Sequence, residues 1–133
     1  MNIRELEQIR HAERTIAQYE YELFLLKRHS LFTTGKETPE QRAYINLIFR
    51  QMENLYNLKI RFLQEIDTLT ANERNVVKYY YFDGVETWDK VAQKMFYSKD
   101  HVYTFRRDAL QKLERIKNDQ KKKGNNPLFL FLP

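Results

Sequence analysis

Two amphipathic helical patterns in this chain are separated by only two residues, and that spacing constrains the fold more than any other feature. Thr87 is placed to cap a short helix in which Trp88, Val91, Ala92 and Met95 recur at the interval of one buried face. Ser98 is placed to cap the next, in which Val102, Phe105, Ala109, Leu113 and Ile116 form an inner face beneath a charged outer one. Only Phe96 and Tyr97 lie between Met95 and Ser98. So short a connection predicts two helices that cross steeply, the geometry of a helix-turn-helix that seats its second helix in the major groove of DNA. The first exposed turn of that second helix then carries Lys99, Asp100, His101, Tyr103 and Thr104.

The pattern Thr-Trp-x-x-Val-Ala-x-x-Met-x-Tyr-Ser-x-x-x-Val-Tyr from Thr87 to Tyr103, followed by Ala109, Leu110 and Leu113, resembles region four of bacterial sigma factors. It resembles still more the phage-encoded transcriptional regulators of the RinA/ArpU type. The preceding Leu69-Thr70-x-x-Glu73-Arg74-x-Val76-Val77 and Tyr81-Phe82-x-Gly84 match the same family's preceding helix and turn, so the likeness covers Leu69 to Leu113. Two positions depart from the pattern. Phe96 stands where such turns usually carry Gly, Asn or another small or polar residue, and Asp108 stands where sigma factors commonly carry a basic one.

The resemblance implies an all-α protein in which an N-terminal helical hairpin (1–68) precedes a three-helix DNA-binding unit (69–117). A basic linker and apolar tail (118–133) complete the chain. The core of the unit is expected from Trp88, Val91, Ala92, Met95, Val102, Phe105, Ala109, Leu110 and Leu113. On duplex DNA, Lys99, Arg106, Arg107 and Lys112 are expected to hold phosphates, while His101, Tyr103 and Thr104 reach base edges. Asp100 either accepts from a cytosine amine or caps its own helix. The implied setting is the cytoplasm of a bacterial host, with late-gene activation as one role of such regulators and the sign of regulation left open. The apolar seam and tail lead to an expected homodimer or higher homo-oligomer.

Composition agrees with a nucleic-acid partner through the placement of charge rather than its amount. The net charge is +5. Residues 1–69 hold ten basic and ten acidic side chains, 70–117 ten and seven, and 118–133 three and one. The whole surplus lies with the candidate DNA-binding unit and the residues C-terminal to it. Three Gly, three Pro and no Cys in 133 residues point to few tight turns, an all-helical chain and no disulfide or thiolate metal site. No signal-like segment and no membrane-length apolar run occurs, so a soluble, intracellular protein is expected.

Before the candidate unit, residues 1–31 read as one helix with a seam of Ile9, Ala12, Ile16, Tyr19, Leu23 and Leu26. That seam serves either a dimer or an intramolecular hairpin, and the sequence leaves both open. A break at Thr33-Thr34-Gly35-Lys36-Glu37 precedes the capping signal Thr38-Pro39-Glu40-Gln41. The helix it opens is expected to run to Asp67, with Tyr44, Leu47, Ile48, Met52, Leu55, Leu58, Phe62 and Ile66 on its apolar face. Thr70-Ala71-Asn72-Glu73 is a second capping box, opening a helix through Val76, Val77, Tyr80 and Tyr81 that ends at Asp83-Gly84. Beyond Ile116 the pattern dissolves into a frayed end with Lys121 to Lys123, and Pro127 to Pro133 form an apolar heptamer expected to dock on its own oligomer.

Catalysis is not expected. His11 and His29 lie eighteen residues apart, too far to share a metal, and neither a phosphate-binding Gly-rich loop nor a nucleophile elbow is present. No metal or cofactor is anticipated. Two further readings keep the helical architecture and change the partner. One is a module that contacts RNA polymerase without binding DNA. The other is a small terminase-like DNA-packaging component, although there the DNA-binding unit usually comes first.

Overall fold

A computed structural model describes residues 1–33 and 35–122, and all of its regular structure is helical. The helices are α1 (Ile3–Arg10), α2 (Ala12–Thr33), α3 (Pro39–Ile66), α4 (Ala71–Val77), α5 (Trp88–Met95) and α6 (Lys99–Lys122). A π-helical turn, Lys78–Phe82, continues α4. Among the described residues there is no strand, and no helix is long and apolar enough to cross a membrane. Lys123 and the heptamer Pro127–Pro133 lie outside the described residues.

Side-chain caps set most of the boundaries. Asn2, Thr38 and Thr70 each accept through the side chain from the backbone N–H three residues on, and each donates its own backbone N–H to the side-chain oxygen of Glu5, Gln41 or Glu73. Each such box satisfies two donors that a helix start leaves unpaired. Pro39 adds a preset φ at the first position of α3.

The long first helix expected from the sequence is two. It breaks at His11 (φ −100°, ψ 4°), so α1 packs on α3 and the π-helical turn while α2 runs along α3. The side chain before the break holds α1 in place. Arg10 donates through Nη1 to the carbonyls of Tyr80 and Val85 (3.0 Å to the latter) and through Nη2 to that of Glu86 (3.2 Å). The seam itself turns inward. Ile9, Ala12 and Ile16 are buried and Tyr19, Leu23 and Leu26 are half-buried, so this face is the inside of a hairpin and not a free dimer surface.

On α3 the apolar face holds at one end only. Ile48, Phe62 and Ile66 are buried and Met52, Leu55 and Leu58 half-buried, but Tyr44 and Leu47 are each 45% exposed. Near the 35–38 loop α2 alone lies against α3, and one helix covers too little of another to bury a whole face. The expected fraying from Lys117 does not occur either, since α6 continues to Lys122. No Gly or Pro interrupts it before Gly124.

The main core joins the base of the hairpin to the C-terminal helices. Leu6 and Ile9 of α1, Phe62 and Ile66 of α3, Val77, Tyr81, and Ala109 and Leu113 of α6 pack in one cluster with Met1 and Leu69. Glu65, only 8% exposed, accepts from the Met1 α-amino group (3.2 Å) and from Arg61 Nε (2.9 Å), and the same amino group donates to the Leu113 carbonyl. A second, smaller cluster of Val76, Val85, Val91, Ala92 and Val102 binds α4, α5 and α6 together.

Candidate nucleic-acid interface

The segment from α5 to α6 is built from its caps inward. Thr87 (φ −137°) accepts from the Lys90 N–H at 3.1 Å and starts α5. At the other end, Phe96 N–H bonds to the Gln93 carbonyl (3.3 Å) and Tyr97 N–H to that of Ala92 (3.1 Å). These are the two bonds of a Schellman closure, which needs a left-handed residue between them. That residue is Phe96, at φ 59° and ψ 34°, the one non-glycine with positive φ among the described residues. Glycine is the usual occupant because a Cβ there meets the next carbonyl. Phe96 gains nothing in packing to offset this, being 95% exposed.

Ser98 then caps α6, its Oγ accepting from the His101 N–H (3.4 Å) and lying 2.7 Å from His101 Nδ1. Tyr97 closes the turn from below. Its ring meets Phe105 edge-on (5.4 Å, 79°), and its hydroxyl accepts from Asn72 Nδ2 of α4 at 3.3 Å. Beneath lies the expected core. Val91, Ala92, Val102, Ala109 and Leu113 are buried, while Trp88, Met95, Phe105 and Leu110 are half-buried.

The eight candidate contact residues fall into two groups. Lys99, Asp100, His101, Tyr103, Thr104 and Arg107 are all exposed on the first three turns of α6. Helical spacing puts Asp100, Tyr103, Thr104 and Arg107 on one outward face and His101 on its flank beside Tyr97 (5.8 Å). Thr104 Oγ1 donates to the Asp100 carbonyl (3.0 Å). The exposed Gln111, one turn beyond Arg107, extends the same face. It was findable from the sequence as the residue seven after Thr104.

Arg106 and Lys112 form the second group, and both are engaged within the fold. The Arg106 guanidinium lies over the Trp88 ring at 4.7 Å, with its Nε buried and unpartnered. Lys112 Nζ reaches Glu73 Oε1 at 2.8 Å and ties α6 to the start of α4. Both cations brace the fold. Spacing carried the signal, because Arg106 follows Val102 by four and precedes Ala109 by three, while Lys112 follows Ala109 by three and precedes Ile116 by four.

Arg106 ends a column of stacked groups. Arg10 of α1 lies 3.8 Å from the Tyr80 ring centre, and Tyr80 stacks on Trp88 at 3.9 Å and 17°. Two groups that close cannot share one face of Tyr80, so Arg10 and Trp88 lie on opposite sides of it. The order is Arg10, Tyr80, Trp88, Arg106, which connects α1, the π-helical turn, α5 and α6 through two stacked rings with a cation at each end.

Two cations beside and on the outer face are already paired. Lys99 pairs with Asp89 of α5 at 2.9 Å, and the hydrogen bond and charge of that carboxylate hold the Lys99 ammonium above its ordinary range. Arg107 Nε lies 3.3 Å from Asp108. Such exposed pairs are weak, so exchanging a carboxylate for a phosphate costs little. Among the described residues no group of three or more His, Asp or Glu is placed to hold a metal. No protein-family model matches this chain, and none of the curated proteins or solved structures compared with it matches either.

Proposed function

We propose that this protein is a phage-type transcriptional regulator that binds duplex DNA, with α5 and α6 acting as a helix-turn-helix and α6 as its reading helix. One observation carries the reading. Beyond a two-residue turn, α6 opens with an exposed polar face of Asp100, Tyr103, Thr104 and Arg107, continued by Gln111, in the part of the chain that holds the charge surplus. Lys99 and Arg107 serve the phosphates, and Tyr103, Thr104 and His101 serve base edges. Arg106 and Lys112 act by holding α6 in place.

The test is a mobility shift on random duplex DNA over a salt series. Binding weakens linearly in the logarithm of salt concentration, and Arg107→Ala lowers that slope by about one. An absence of binding at low salt overturns the reading. In that case the second reading takes over, a module contacting RNA polymerase. It is favoured by the carboxylates already paired with Lys99 and Arg107 and by the fully presented Phe96 ring.

A further inference from the structure

The hairpin carries a second apolar face that the described residues leave open. On α3, Phe49, Tyr56 and Leu63 recur every seven residues with Ile60 between them, and they are 55%, 46%, 43% and 54% exposed. On α2, Tyr21 and Phe24 are 62% and 57% exposed. Both stripes lie on one side of the hairpin. Glu13 of α2 and Lys59 of α3 form an ion pair across the two helices at 3.9 Å. Tyr21 and Phe24 stand two and three turns along from Glu13 on the same side, and Tyr56 and Leu63 stand one turn to either side of Lys59.

We infer that this face pairs with the same face of a second copy, two hairpins closing into a four-helix bundle. The area fits. Four aromatic and two aliphatic side chains, each about half exposed at roughly 150–250 Å² per aromatic ring, leave on the order of 600 Å² of apolar surface outside. That reaches the top of the range for the largest patch on a monomer and approaches the roughly 800 Å² per partner of a standard interface. The period fits as well. A seven-residue apolar repeat keeps one stripe facing a partner when the partner is itself a helix running alongside, and on α3 the stripe from Phe49 to Leu63 runs for about 21 Å. None of the six positions is charged, so a two-fold pairing sets apolar against apolar along most of the face; Glu53, exposed and seven residues before Ile60, stands on the same stripe. The inward seam of Ile9 and Ile16 takes no part.

Sedimentation of the full chain at micromolar concentration, without DNA, reads this assembly independently of any DNA binding. The expected mass is twice 16.3 kDa. Phe49→Glu with Tyr56→Glu, and separately Tyr21→Glu with Phe24→Glu, are expected to return it to one chain with the helical circular dichroism unchanged. If a double variant loses its helical signal, Tyr56→Lys alone is scored in its place. A wild-type mass of one chain overturns the inference. So does a one-chain mass that doubles only on deletion of 127–133, which would assign the face to the chain's own tail. A dimer that survives in the folded variants overturns it too.

Discussion

Phe96 is the position where local backbone chemistry and exposure disagree most. Its left-handed conformation costs an L-residue about 1–2 kcal/mol relative to glycine, and its ring rests on nothing. Phe96→Gly is therefore expected to stabilise the fold by about 1 kcal/mol in urea denaturation, with no change in slope. Strain kept at an exposed site points to use, so the same variant is expected to weaken partner binding while it strengthens the fold. Arg106 makes the opposite case. Arg106→Ala removes a cation from the Trp88 face together with the packing of its stem, and is expected to destabilise by about 1–2 kcal/mol. A DNA-binding salt slope that fell by one in that variant, with stability intact, would return Arg106 to the phosphates.

At the scale of elements, the joint between α4 and α6 rests on Glu73. Burial pushes its carboxyl up, but the bond from Lys112, the backbone and hydroxyl of Thr70 and the Lys112 charge outweigh this and leave it below its ordinary 4.5. A depressed carboxyl stabilises the fold above the unfolded value and loses that contribution as pH falls through the folded one. Glu73→Gln is thus expected to cost about 1–2 kcal/mol at neutral pH, with the gap to wild type closing below pH 4.5. Denaturation at pH 7 and pH 3 measures it, and a constant gap would place the cost in packing instead. Much at this scale is legible in the sequence, because Thr38, Thr70, Thr87 and Ser98 are local signals that act on the N–H groups two or three residues away. The break at His11 is not, since no Gly or Pro marks it and its stabilising contacts come from carbonyls seventy residues on. The π-helical turn is equally silent, because Lys78–Phe82 read as plain α4 until Tyr80 has Trp88 to stack on.

Across the whole molecule, one cluster runs from Leu6 through Phe62 to Leu113, so the hairpin and the C-terminal helices are expected to unfold together. Paired hairpins would carry two copies of α6 on one assembly, giving two linked contacts on DNA at high effective concentration. The column of Arg10, Tyr80, Trp88 and Arg106 makes such linkage observable. Trp88 is the sole tryptophan, and its indole is sandwiched between a tyrosine ring and a guanidinium. The protein therefore contains its own optical gauge. Excitation at the tryptophan band reports how firmly the first helix grips the last, and Arg10→Ala is expected to change that emission although Arg10 never touches the indole. Rotation of α6 on a ligand would register in the same channel, with no dye attached.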